Sequence, residues 1–168
     1  GAWIHAEAPG DLGALAARGA EAGALAAERA RYLTDDLPAT VDLDLPAEQV
    51  PVAVLGGGTG GPFAGLAAAR AGARTVLFEA GWGLGGISTL GGIHCYYHGL
   101  PGGLQDGVDA ATALCADDLG GRERSAGFHP EARKIVLEHA LREAGVEVRY
   151  GWTATEVLTE GEWVRAVI

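Results

Sequence analysis

Residues 52–79, VAVLGGGTGGPFAGLAAARAGARTVLFE, constrain this chain more than any other stretch. The short apolar run Val52–Leu55 reads as a buried parallel strand. It leads straight into Gly56, Gly58 and Gly61, spaced G-x-G-x-x-G. An alanine-rich helix is expected over about 59–71, with Gly72 as its C-cap. A second strand at 75–78 stops at the acidic Glu79. That order predicts an α/β fold of Rossmann type, a parallel sheet grown from a βαβ unit.

Each glycine has a reason. Gly56 permits the tight turn out of the strand, and Gly58 lets a pyrophosphate approach bare backbone. Gly61, with Gly65 a turn later, lets the helix pack closely on the sheet. Free N–H groups in the first helical turn then face the phosphates, with the helix dipole behind them. Pro62 sits where a missing N–H costs little. Glu79 is placed to accept hydrogen bonds from ribose hydroxyls, and its charge would repel a 2′-phosphate, which disfavours NADP. The glycine spacing alone is weak in a chain holding 28 glycines. Its agreement with strand, helix, second strand and terminal acid is what gives it force.

The 168 residues suffice for a domain with a real core. A formal net charge of −10 argues against nucleic acid or an anionic membrane surface as partner. Two cysteines, Cys95 and Cys115, make neither a disulfide framework nor a zinc pattern, so no metal is expected. No 18-residue apolar run or signal peptide is visible, and a cytoplasmic location is the expectation. The chain starts with Gly and holds no Met, which reads as a processed or engineered start.

Asp11 is a candidate cap for a helix over 12–33, and residues 41–45 alternate as a half-buried strand does. Residues 1–49 are read as an N-terminal arm and 50–168 as the cofactor domain. Six glycines between Gly81 and Gly92 are too many for a helix. They offer extended backbone that can lie against something flat or phosphorylated, with the Ser88 and Thr89 hydroxyls within it. Residues 99–107 have the composition of a mobile, gating loop, and Asp117 and Asp118 read as a solvated loop. A helix is expected at 130–144 with Gly145 as C-cap, then strands at 146–150, 153–159 and 163–168. His129, before Pro130, reads as a surface or capping residue.

The run GGGTGGPFAGLAAARAGARTVLFE, followed by GLGGISTLGG, resembles the FAD-dependent oxidoreductases with a glutathione-reductase-type FAD domain. It is most similar to the family related to the flavin subunits of heterodisulfide and fumarate reductases. The likeness spans about 50–98 and resumes at 128–168. It implies FAD as cofactor and a Rossmann-like FAD-binding domain followed by a β-meander. Gly56, Gly58 and Gly61 would hold the pyrophosphate and Glu79 the adenosine ribose. Gly85, Gly86, Ser88 and Thr89 would follow the phosphate–ribityl chain. Residues 94–98 would approach the flavin, and the backbone of about Ala154 would meet adenine, although Ala stands where the family often has a β-branched residue. The family's second FAD-binding stretch and its substrate domain are absent. A second polypeptide is therefore expected to complete the FAD domain and supply the substrate domain.

The cluster His94, Cys95, Tyr96, Tyr97, His98 admits three readings. The residues line the flavin cleft; or His94 or His98 is a general base, with an unperturbed pKa near ~6.5 that suits proton removal; or His94 or Cys95 carries the flavin covalently, as a histidine does in fumarate-reductase relatives. His94, His98 and Cys95 are thus the candidate catalytic residues. The expected function is oxidation of a small organic substrate by hydride transfer to the flavin. The alternatives are an NAD-dependent Rossmann dehydrogenase and a non-catalytic electron-transfer subunit.

Overall fold

The computed structural model describes residues 47–96, 102–120 and 127–168. The expected helix at 12–33 and strand at 41–45 lie outside the described residues, as does His98. The elements in chain order are β1 (Val52–Leu55), α1 (Gly61–Arg70), β2 (Thr75–Glu79), a 3-10 turn (Gly86–Ser88), α2 (Leu104–Asp118), α3 (Pro130–Glu143), β3 (Glu147–Tyr150), β4 (Val157–Glu160) and β5 (Trp163–Val167).

The first three strands form one parallel sheet in the order β1–β2–β3. Val54 lies opposite Leu77, and Leu77 opposite Val148. The central strand β2 starts Thr75-Val76-Leu77, all buried, as expected of a strand covered on both faces. β1 differs from the expectation. It alternates half-buried and exposed, with Leu55 42% exposed, because Ala53 and Leu55 point to one face of the sheet, which no described element buries there.

Helix α1 docks on the sheet through Leu66 and Ala68. A Cβ added at Gly65 would lie 3.2 Å from Leu141, 3.7 Å from Val146 and 3.8 Å from Leu77, so the missing side chain sets how closely α1 approaches α3 and the sheet. Leu66, Leu77, Leu84, Val108, Leu137, Leu141 and Val146 make one continuous core. Helices α1 and α3 end alike. Gly72 and Gly145 adopt positive φ, and the next residue returns an N–H to the helix: Ala73 to the Ala68 carbonyl at 3.1 Å, Val146 to the Leu141 carbonyl at 2.9 Å. The fold thus turns at the glycines where the sequence places the helix ends.

Several boundaries move. α1 begins at Gly61 rather than Thr59. Leu104 to Gly107, expected in a loop, form the first turn of α2, and Asp117 and Asp118 lie in its last turn. The Asp106 carboxylate accepts the Gly102 N–H at 2.8 Å at the entry, and Val108 and Thr112 are buried. The glycine-rich stretch after Glu79 contains a 3-10 turn, its start set by Gly85 at positive φ. The strand expected from 153 starts at Val157. Its earlier residues are held differently: the Thr155 and Glu156 N–H groups donate to the Ile168 carbonyl. β4 and β5 pair antiparallel, with an irregularity between Leu158 and Thr159. His129 is the N-cap of α3, its Nδ1 accepting the Ala132 N–H at 3.3 Å. Glu48 pairs with Arg74 and Arg149, and those two guanidinium groups hold its carboxyl below the usual range.

Candidate functional site

At the carboxyl end of β1 the backbone must turn sharply into α1. Gly56 does this at φ +94, and its N–H still donates to the Phe78 carbonyl at 2.8 Å. A Cβ at Gly61 would overlap the Gly56 carbonyl oxygen, so the helix start rests directly on the turn. A Cβ at Gly58 would meet nothing within 4 Å. Sterics among the described residues therefore do not require glycine at 58, and those residues leave the space beside it open. The N–H groups of Gly58, Thr59, Gly60 and Gly61 have no partner among the described residues. Together they make a donor-rich backbone at a helix N-terminus, which suits an anion.

The second glycine loop packs on the first. Gly85 donates to the Gly57 carbonyl at 2.8 Å, and a Cβ at Gly86 would lie 2.9 Å from the Gly58 Cα. The Ser88 hydroxyl donates to the Gly85 carbonyl at 2.7 Å, and Thr89 donates to the Leu84 carbonyl. Both side chains are buried, so their hydroxyls hold the loop's own shape. Glu79 links the two loops: one carboxylate oxygen accepts the Gly57 N–H at 2.6 Å, the other the Gly81 N–H at 2.6 Å. Each oxygen keeps a lone pair for a further donor.

Beside these loops lies a cleft of about 240 Å³, lined by Leu55, Gly56, Phe78, Glu79, Ala80, Trp152, Thr153 and Ala154. It opens at the carboxyl ends of parallel strands, the usual ligand position in such sheets. The Trp152 ring packs at 5.9 Å and 55° on Phe78, and the Trp152 backbone N–H donates to the Glu79 carbonyl at 3.1 Å. The structure therefore brings Gly56, Glu79 and Ala154 to one cleft, with Gly58, Gly61, Gly85 and Gly86 in the adjoining loops. Sequence reasoning missed Phe78, Ala80, Trp152 and Thr153 as cleft walls. The readable signal was an aromatic residue just after Gly151, two positions before Ala154.

His94 and Cys95 are half-buried in a stretch without regular secondary structure. The His94 ring Nδ1 lies 3.1 Å from the Gly92 carbonyl, and the His94 carbonyl accepts the Phe128 N–H at 2.8 Å. Cys95 and Cys115 are free thiols. The Tyr96 hydroxyl donates to Asp109 at 2.8 Å, and Asp109 pairs with Arg133 at 2.6 Å. Partial burial and the Asp109 bond push the Tyr96 phenol up to about 12. Among the described residues, no cluster of His, Cys, Asp and Glu is placed to hold a metal, and no helix is long and apolar enough to cross a membrane.

Residues 51–168 match the family model described as FAD dependent oxidoreductase. No curated protein matches the chain. Among solved structures it is similar to Thermovibrio ammonificans THI4, at 21% identity and TM-score 0.43, over 69% of this chain and 44% of that one. It is also similar to the L-amino acid deaminase from Proteus vulgaris, at 13% identity and TM-score 0.45, over 77% and 46%. A third is the flavin-dependent monooxygenase PieE, solved with FAD and substrate, at 19% identity and TM-score 0.41, over 69% and 26%. The chain spans less than half the length of each of these three structures.

Proposed function

The chain belongs to the FAD-dependent oxidoreductase family, whose cofactor is FAD, and on that premise we propose that its two glycine loops and the neighbouring cleft hold the adenosine–pyrophosphate half of that cofactor. The observation that carries this is Gly58. Nothing among the described residues fills the space its Cβ would take, and none of them partners the neighbouring N–H groups. The residues present fit the group. Residues 56–61 would bind the pyrophosphate and Glu79 the ribose hydroxyls. The Ala154 backbone would meet adenine, with Trp152 and Phe78 as its apolar wall. Gly85 and Gly86 would continue along the phosphate–ribityl part, with Ser88 and Thr89 bracing that loop from within. His94, Cys95 and His98 are assigned to the flavin side, His94 or His98 as the base that takes a substrate proton.

FAD supplies the two-electron oxidation of a small organic substrate. The protein's share is to grip the dinucleotide, shield the ring and hold the proton acceptor. The outer edge of β1, unpaired among the described residues, supports a further proposal, that polypeptide on a second chain completes the sheet. Family membership favours FAD over the NAD-dependent alternative.

The test is an absorption spectrum of the intact protein, followed by acid precipitation. Flavin absorbance before precipitation supports the reading, and colour staying with the pellet marks covalent attachment. A protein that neither carries nor takes up FAD overturns it. Replacing His94 and His98 together with Gln tests the base: unchanged turnover would remove both from that role. A native mass spectrum reports any second chain.

A further inference from the structure

Among the described residues only one charged side chain is almost wholly buried: Arg133, 2% exposed, in the first turns of α3. A cation there opposes the positive end of the helix dipole. Its Nε is buried and finds no acceptor among the described residues. Neither feature favours the helix, and a buried ion pair is often replaceable by apolar residues without loss of stability. The contacts of the guanidinium point elsewhere.

Arg133 reaches the 94–96 segment by two routes. Its Nη1 pairs with the Asp109 carboxylate at 2.6 Å, and the same oxygen accepts the Tyr96 hydroxyl at 2.8 Å. Gln105 donates to that oxygen at 2.8 Å and also to the Tyr96 hydroxyl. The guanidinium also stacks over the Phe128 ring at 4.2 Å and lies 5.8 Å from the Tyr96 ring. Phe128 in turn donates its N–H to the His94 carbonyl at 2.8 Å. Gly127, at φ +104, permits that approach, because a Cβ there would overlap the same carbonyl. One planar cation thus joins α2, α3 and residues 127–128 to a segment without regular secondary structure.

We propose that Arg133 is a positioning residue that fixes the 94–96 segment against α2 and α3, and thereby sets how that segment meets the flavin. The last clause rests on the reading under Proposed function; the anchoring does not. Two variants of the intact protein, Arg133→Met and Arg133→Lys, test it by two readouts. The first is hydrogen exchange at the Phe128 amide, bonded to His94, compared with the Val76 and Leu77 amides in β2. Arg133→Met should speed exchange at Phe128 roughly tenfold or more while leaving β2 within about twofold, a local opening. Arg133→Lys should fall between, keeping the Asp109 pair and losing the planar stack. Unchanged exchange at Phe128 in folded Arg133→Met overturns the anchoring.

The second readout is visible circular dichroism of the FAD-loaded protein. A changed flavin band in Arg133→Met supports the link to the flavin, and an unchanged band beside faster exchange overturns that link. If the wild type takes up no FAD, the reading under Proposed function fails and the exchange comparison still decides the anchoring. Should Arg133→Met fail to fold, Tyr96→Phe removes one hydroxyl of the same network and should speed Phe128 exchange roughly threefold. No change there would overturn the Tyr96 route.

Discussion

The turn between β1 and α1 and the side-chain knot around Arg133 are built by opposite means. The turn is almost all backbone. Its shape comes from side chains that are missing: a Cβ at Gly61 would overlap the Gly56 carbonyl, and a Cβ at Gly58 would enter open space. Its parts are consecutive in sequence. The knot is almost all side chain. Tyr96, Gln105, Asp109, Phe128 and Arg133 come from separate stretches and meet only when α2 packs on α3. The difference teaches where each can fail. Adding one methyl group at Gly61 breaks the first, whereas removing one functional group loosens the second.

The largest expected effect is at Gly61. Gly61→Ala should lose about 3 kcal/mol or more of stability, because backbone on both sides of the overlap must move. Urea unfolding checks this, and a variant of near wild-type stability would break the comparison. Next comes Asp109→Ala, which leaves the buried Arg133 charge without its partner. It should cost about 2–4 kcal/mol, the range for breaking a buried pair, reduced because Asp109 is itself one-third exposed. Glu79→Ala sharpens the contrast from the other side. It removes the carboxylate that ties Gly57 to Gly81, and should lower stability by about 1–2 kcal/mol while weakening FAD binding more than tenfold, roughly. Calorimetry on both properties separates the two effects.

The smallest effect is a titration. The Tyr96 phenol is raised to about 12, first by burial and then by its bond to Asp109. A group raised in the folded state adds stability that is fully present below its unfolded pKa of about 10, and this is lost as pH rises through the folded value. Alkaline absorbance titration of Tyr96→Phe should therefore lose part of the absorbance change near pH 12, where Tyr150 also titrates, and none near pH 10. Loss of the lower transition would show that the knot does not hold Tyr96.

The sequence made the turn readable because each part is local. Glycine spacing, Gly72 and Gly145 at helix ends, and Glu79 at a strand end act on residues within a few positions. The openness of β1 was not readable, since an apolar run looks the same with one face covered or two. α2 was hidden because its buried contacts are few, Val108 and Thr112, and Gly103 and Gly107 suggest a loop. Arg133 on an amphipathic helix reads as solvent-facing; its burial depends on Asp109, 24 positions away. Trp152 belongs to no period, and only the approach of Phe78 gives it a place in the cleft.

The most direct test of the whole account compares wild type with Gly58→Ala, titrating each flavin-stripped intact protein with FAD and recording each unfolding curve. The account predicts superimposable unfolding, since the added methyl meets nothing within 4 Å, and FAD affinity weaker by about tenfold or more. Equal FAD affinity in the two proteins would contradict it.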